Sequence, residues 1–256
     1  DNIKTKRPDN MDSYDLVLQG LEYAKKGNVM KENTQKAVEL FEKAIELEPS
    51  YARAHAWRAC TLSNLADWEE SPDPKIFENA FESIKLALEL DSNEPEVHRI
   101  MGALKLWHER DHEMARYHFE KARELCPSDV FIISRYAIML IYFGEFDKAL
   151  EELERAKRLD PFSHDLLFGP EAICHYWLDN PEEALKTFKK VKVKKNYLFY
   201  IALAYKKSGD SDKASENLKE AYALTGMNND SFIGSQPFKD QEFTSKLKSE
   251  LGNITG

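Results

Sequence analysis

Small and apolar residues recur along the chain at a fixed spacing, most plainly in the stretch 130–163. There Ala137 is followed by Ala149, Leu153 and Ala156, and Gly144 sits between two helical patterns. Alanine at such positions lets two helices approach closely, and Leu153 fills the space left between them. Asp160–Pro161 ends the second helix, because proline disfavours helical geometry in the residue before it. The pattern predicts a helix–turn–helix hairpin that buries one side against copies of itself.

The register repeats. Paired small residues fall at Gly20/Ala37, Ala59/Ala80, Ala103/Ala115, Ala137/Ala149, Ala172/Ala184 and Ala202/Ala214. Seven residues after each pair come Ala44, Ala87, Ala122, Ala156, Val191 and Ala221, with Phe41, Ile84, Phe119, Leu153, Phe188 and Leu218 between. This spacing resembles the tetratricopeptide repeat. The resemblance implies an all-α, right-handed α-solenoid of six hairpins, over 13–51, 52–94, 96–129, 130–163, 165–194 and 195–228. The polar start, 1–12, reads as a linker. Extra residues are placed in the first hairpin within Gly27–Gln35 and in the second at Trp68–Lys75, where two prolines break the helical pattern. In the remainder, 229–256, Phe243, Leu247 and Leu251 share one face of a short helix, expected to cap the last apolar surface.

In tetratricopeptide proteins the first helix of each hairpin lines a concave groove. Carried onto this chain, the groove positions in the first two hairpins are Tyr14, Val17, Leu21 and Arg53. The third hairpin contributes Val97, Ile100, Leu104, Trp107 and His108, and the fourth Phe131, Ile138, Ile141 and Tyr142. Leu166, Ile173, Tyr176 and Trp177 follow in the fifth, Phe199 and Leu203 in the sixth. The chaperone-adaptor version of the fold grips a terminal carboxylate with Lys, Asn and Arg, where this chain has Val17/Leu21, Ala56/Cys60 and Ile100/Leu104. An apolar strip of this extent is unusual on a soluble monomer unless something covers it. Candidates are a partner helix or peptide, another part of the same protein, a second copy, or the chain's own tail. Burial as ordinary core is the competing reading.

Composition narrows the function. With 36 basic and 45 acidic residues the net charge is −9, which disfavours direct contact with nucleic acid. No apolar run approaches the ~20 residues of a membrane span. Cys60, Cys126 and Cys174 have neither zinc-type nor disulfide spacing, which fits a reducing, cytoplasmic compartment. The chain lacks an initiator methionine and a signal peptide, so it is expected to be a piece of a longer protein.

His108-Glu109-Arg110-Asp111-His112 matches the H-E-x-x-H motif of zinc peptidases, which needs both histidines on one continuous helix. In the repeat register a turn separates them, so zinc hydrolysis stands as a remote alternative. No cofactor or metal is expected. The ends, Arg7–Gly20 and Phe243–Gly252, resemble those of the tetratricopeptide region in bacterial class III adenylate/guanylate cyclases and winged-helix regulators. That resemblance implies a non-catalytic C-terminal interaction or signalling module, or alternatively a self-association module.

Overall fold

In a computed structural model, residues 9–26, 30–66, 68, 73–162 and 165–254 are described. Most of the expected linker (1–8) and parts of both expected insertions (27–29, 69–72) lie outside them. Fourteen α-helices and no strand occur among the described residues. The chain divides into two compact units, Asp1–Pro127 and Ser128–Gly256.

The first unit holds α1 (Met11–Lys26), α2 (Lys31–Leu47), α3 (Ala52–Ala66), α4 (Pro74–Leu90), α5 (Pro95–Leu104) and α6 (His112–Leu125). They pair as α1/α2, α3/α4 and α5/α6, and α2 and α5 each pack on α3. The second unit holds α7 (Val130–Tyr142), α8 (Phe146–Leu159), α9 (Asp165–Trp177), α10 (Pro181–Phe188), α11 (Leu198–Lys207) and α12 (Ser211–Thr225). These form three further hairpins, followed by α13 (Asn229–Ser235) and α14 (Gln241–Gly252).

Local chemistry starts and stops these helices. Asp111, Asp129 and Asp210 accept the backbone N–H of Met114, Ile132 and Lys213 at 3.0–3.1 Å, satisfying donors that an N-terminus leaves open. Inside the hairpins the chain reverses through a left-handed residue. Gly144 and Gly209 serve at φ 75° and 86°, but Arg110 and Asp179 do the same work at 55° and 60°. The spaced alanines are where the helices touch: Ala37, Ala59, Ala80, Ala137, Ala149, Ala172 and Ala202 have no exposed surface.

The third hairpin departs from the expected register. Its closest-approach residue is Gly102, whose Cβ position lies 3.0 Å from the Phe119 ring, while Ala103 is half-buried. Two parallel hydrogen bonds fix the alignment: His55 Nε2 lies 2.9 Å from the Pro49 carbonyl, and His98 Nε2 lies 2.9 Å from that of Ser92. His55 precedes Ala59 by the interval at which His98 precedes Gly102. Gly102 and Ala115 are thus one residue further apart than the regular spacing, and a π-helical turn over Lys105–Glu109 takes up the addition.

That hairpin is pinned by a buried pair of histidines. His98 Nε2–H donates to the Ser92 carbonyl, which leaves His98 Nδ1 as the acceptor for His118 Nδ1–H at 3.0 Å. Burial, then the neighbouring His98 and Lys105, hold His118 down to about 4 against the pull of Asp111. Burial also lowers His98, which faces Lys121, Asp91 and Glu124. A folded-state pKa below the unfolded ~6.5 means that stability is complete above pH ~6.5 and falls as the pH drops toward 4. The His118 shift alone corresponds to a loss on the order of 3 kcal/mol. Thermal melts between pH 7 and 5 are expected to show the decline, flattened in His118→Asn, whose amide keeps a donor toward His98. Equal slopes for both proteins would contradict the assignment.

Candidate functional site

In the first unit several positions expected in the groove are core. Val97, Ile100 and Leu104, expected in the groove, pack instead in the core with Ala56, Leu62 and Ile84. Val17 is likewise core, beside Phe41 and Ala44. Arg99 takes the place read for Ile100. It lies 4.9 Å over the Trp57 ring and pairs with Glu96 at 2.7 Å. Arg53 pairs with Glu94 at 2.9 Å. Tyr14, Leu21 and Trp107 are half-buried. Arg99 and Glu94 are themselves buried, at 4% and 3% exposure, so this region is closed by paired charges and aromatic rings rather than open as an apolar strip.

His108 is exposed and reaches α3 and α4. Its Nε2 lies 2.6 Å from Ser63 Oγ and its ring 4.6 Å from that of Phe77. It sits in the π-turn, the left-handed Arg110 follows, and His112 opens α6. The two imidazoles of the H-E-x-x-H match therefore sit on separate elements. Among the described residues no group of three or more His, Cys, Asp or Glu could hold a metal.

In the second unit the first helices α7, α9 and α11 bring their aromatic residues together, and the C-terminal segment lies on them. Trp177 stacks on Phe146 at 5.6 Å, and Tyr176 meets Tyr200 edge-on at 5.6 Å. Phe238 then inserts edge-on between Tyr142 (5.2 Å) and Trp177 (5.3 Å). Phe243 covers Trp177 at 5.1 Å and Phe146 at 5.3 Å. Phe232 stacks flat on Phe199 at 4.2 Å, so α13 covers the last hairpin while α14 runs back over α9. Edge-to-face pairs of this kind add about 0.5–1.5 kcal/mol each beyond the area they bury.

Polar groups hold the segment in register. The Lys239 N–H donates to the Tyr142 carbonyl at 2.9 Å. The hydroxyls of Tyr142 and Tyr200 both donate to Gln236 Oε1 at 3.3 Å, so one amide bridges α7 and α11. Tyr176 donates to Glu250, and burial, with that carboxylate alongside, pushes its phenol well above the usual range. Lys207 donates to the Tyr176 carbonyl and to Asp179, each at 3.1 Å.

Ile141, Tyr176, Trp177, Phe199 and Leu203 are buried, and Phe131, Ile138, Tyr142, Leu166 and Ile173 half-buried. Of the occupants considered for the apolar groove, the chain's own tail is the one seen on this face. Phe243, Leu247 and Leu251 were legible as its apolar side. Gln236 and Phe238 were missed, although phenylalanines at 232, 238 and 243 recur at intervals of five or six in a polar context.

A tetratricopeptide repeat family model matches residues 40–71. No curated protein matches the chain. Among solved structures it is similar to Pseudomonas aeruginosa pilF, at 20% identity and a TM-score of 0.56 over 92% of this chain and 98% of that one. It is also similar to PilW, a widely conserved type IV pilus biogenesis factor (19%, 0.61, 86% and 96%). A tetratricopeptide repeat protein from Parabacteroides merdae gives 14%, 0.55, 96% and 86%. The fold is thus that of the tetratricopeptide helical scaffolds.

Proposed function

We propose that this chain is a non-catalytic protein-interaction scaffold whose α7/α9/α11 face receives an aromatic-bearing peptide segment, with its own residues 228–254 as the occupant in cis. The observation that carries the reading is Phe238, seated between Tyr142 and Trp177 while the adjacent Lys239 N–H donates to the Tyr142 carbonyl. A partner presenting the same features, aromatic residues at five- or six-residue spacing and a glutamine for the two tyrosines, would compete for the face. The resemblance of the chain's ends supports a place as a module of a larger bacterial regulator of the cyclase or winged-helix kind. Its three cysteines, which form no disulfide among the described residues, support a reducing, cytoplasmic setting.

The test pairs a chain ending at Met227 with a labelled peptide of residues 228–254. Saturable one-to-one binding is expected, weakened at least tenfold by Phe238→Ala in the peptide, which equals about 1.4 kcal/mol. If the shortened chain keeps its helical signal and melts cooperatively yet takes up no peptide, the proposal is wrong. If it forms dimers instead, self-association becomes the better account.

A further inference from the structure

The connection between α10 and α11 carries a lysine run that the aromatic face does not use. Lys189, Lys190, Lys192, Lys194 and Lys195 fall within seven positions, and all five are exposed. Val191 is turned inward, but Val193 stands out among the lysines at 62% exposure. The run is anchored at one end of the fifth hairpin. Lys190 Nζ lies 5.2 Å over the ring of Phe168 in the first turn of α9, and Tyr197 packs against Phe188 at 5.9 Å. The link from α8 reaches the same end of α9, and there Phe162 is 96% exposed. The nearby Asp160 is engaged in its own turn, accepting the Phe162 N–H at 2.8 Å.

This edge concentrates positive charge and projecting apolar groups in a chain whose net charge is −9. The run contains no arginine, the side chain whose planar fork suits recognition of a single phosphate. Lysine acts as a point charge and responds to the spread field of an anionic surface. An acidic polypeptide would satisfy the lysines but leave Phe162 and Val193 in water. A bilayer satisfies both, because apolar and aromatic groups favour the headgroup–acyl boundary. We propose that the edge formed by Lys189–Lys195 and Phe162 is a peripheral contact for membrane surfaces that carry anionic lipid. The acidic remainder of the chain is repelled by such a surface, which confines contact to this edge.

Co-sedimentation of the intact chain with phosphatidylglycerol/phosphatidylcholine vesicles tests the proposal. Binding is expected at ~50 mM salt, with a steep fall by ~300 mM as screening shortens the reach of the lysines, and none to phosphatidylcholine alone. Each lysine near an anionic surface multiplies partitioning roughly fivefold, so Lys192→Gln/Lys194→Gln/Lys195→Gln is expected to lower it roughly a hundredfold. Phe162→Ser is expected to weaken it several-fold, and Lys148→Gln/Lys213→Gln, in the first turns of α8 and α12 at the hairpin turns rather than the links between hairpins, to leave it unchanged. Failure of the intact chain to bind at low salt would overturn the proposal. So would undiminished binding by the triple variant, or capture by polyglutamate without capture by vesicles, which would assign the edge to an acidic protein.

Discussion

Trp177→Ala is expected to lower the unfolding free energy by about 3–5 kcal/mol while leaving the far-ultraviolet helical signal at low temperature intact. The indole is only 6% exposed and touches rings from three directions: Phe146 stacked, Phe238 and Phe243 edge-on. Truncation opens a cavity bounded by side chains from α8, α14 and the α13–α14 link, and none of these can move in without losing its other partners. Urea unfolding of the variant beside the parent measures the loss. A change below ~1 kcal/mol would mean that the tail does not seat on Trp177 as described.

Gly144→Ala is expected to cost about 2–5 kcal/mol, and the cost divides into two separable parts. The residue sits at φ 75°, where a Cβ adds roughly 1–2 kcal/mol of backbone strain. That Cβ would also stand 2.6 Å from the Phe243 ring, an overpacking that costs about 1–3 kcal/mol more. Only the second part depends on the tail. Made in a chain ending at Met227, the same substitution is expected to retain the backbone cost alone. Equal losses in the two backgrounds would show that Phe243 does not press on this turn.

The hairpins were legible because their signal is local: alanine at a helix contact, glycine at a turn, proline after a helix. Gly144 could be read as a turn for the same reason. Arg110 and Asp179 could not, since neither residue type announces a left-handed conformation. The slip in register came from the third hairpin. Ala103 offered the regular interval to Ala115, and a π-turn is invisible to a count based on ideal helices. One residue of offset put Arg99 where Ile100 was expected, and both are buried, as is Val17 in the first hairpin, so a groove was expected where the helices pack. The aromatic cluster of α7, α9 and α11 was found, together with the need for a cover. Which of several occupants supplies it depends on pairings such as Tyr142 with Gln236, 94 residues apart, and no local pattern encodes those.

That separation also sets an order of events during synthesis. Hairpins held by neighbouring helices can form as soon as they leave the ribosome, whereas Gln236 follows Tyr142 by 94 residues. At 5–20 residues per second, the nascent chain would present Tyr142 bare for roughly 5–20 s, and Tyr176, 74 residues before Glu250, for roughly 4–15 s. Nascent copies on one polysome could stick to each other in that interval, and a slow-translated stretch between α12 and α14 would lengthen the hazard.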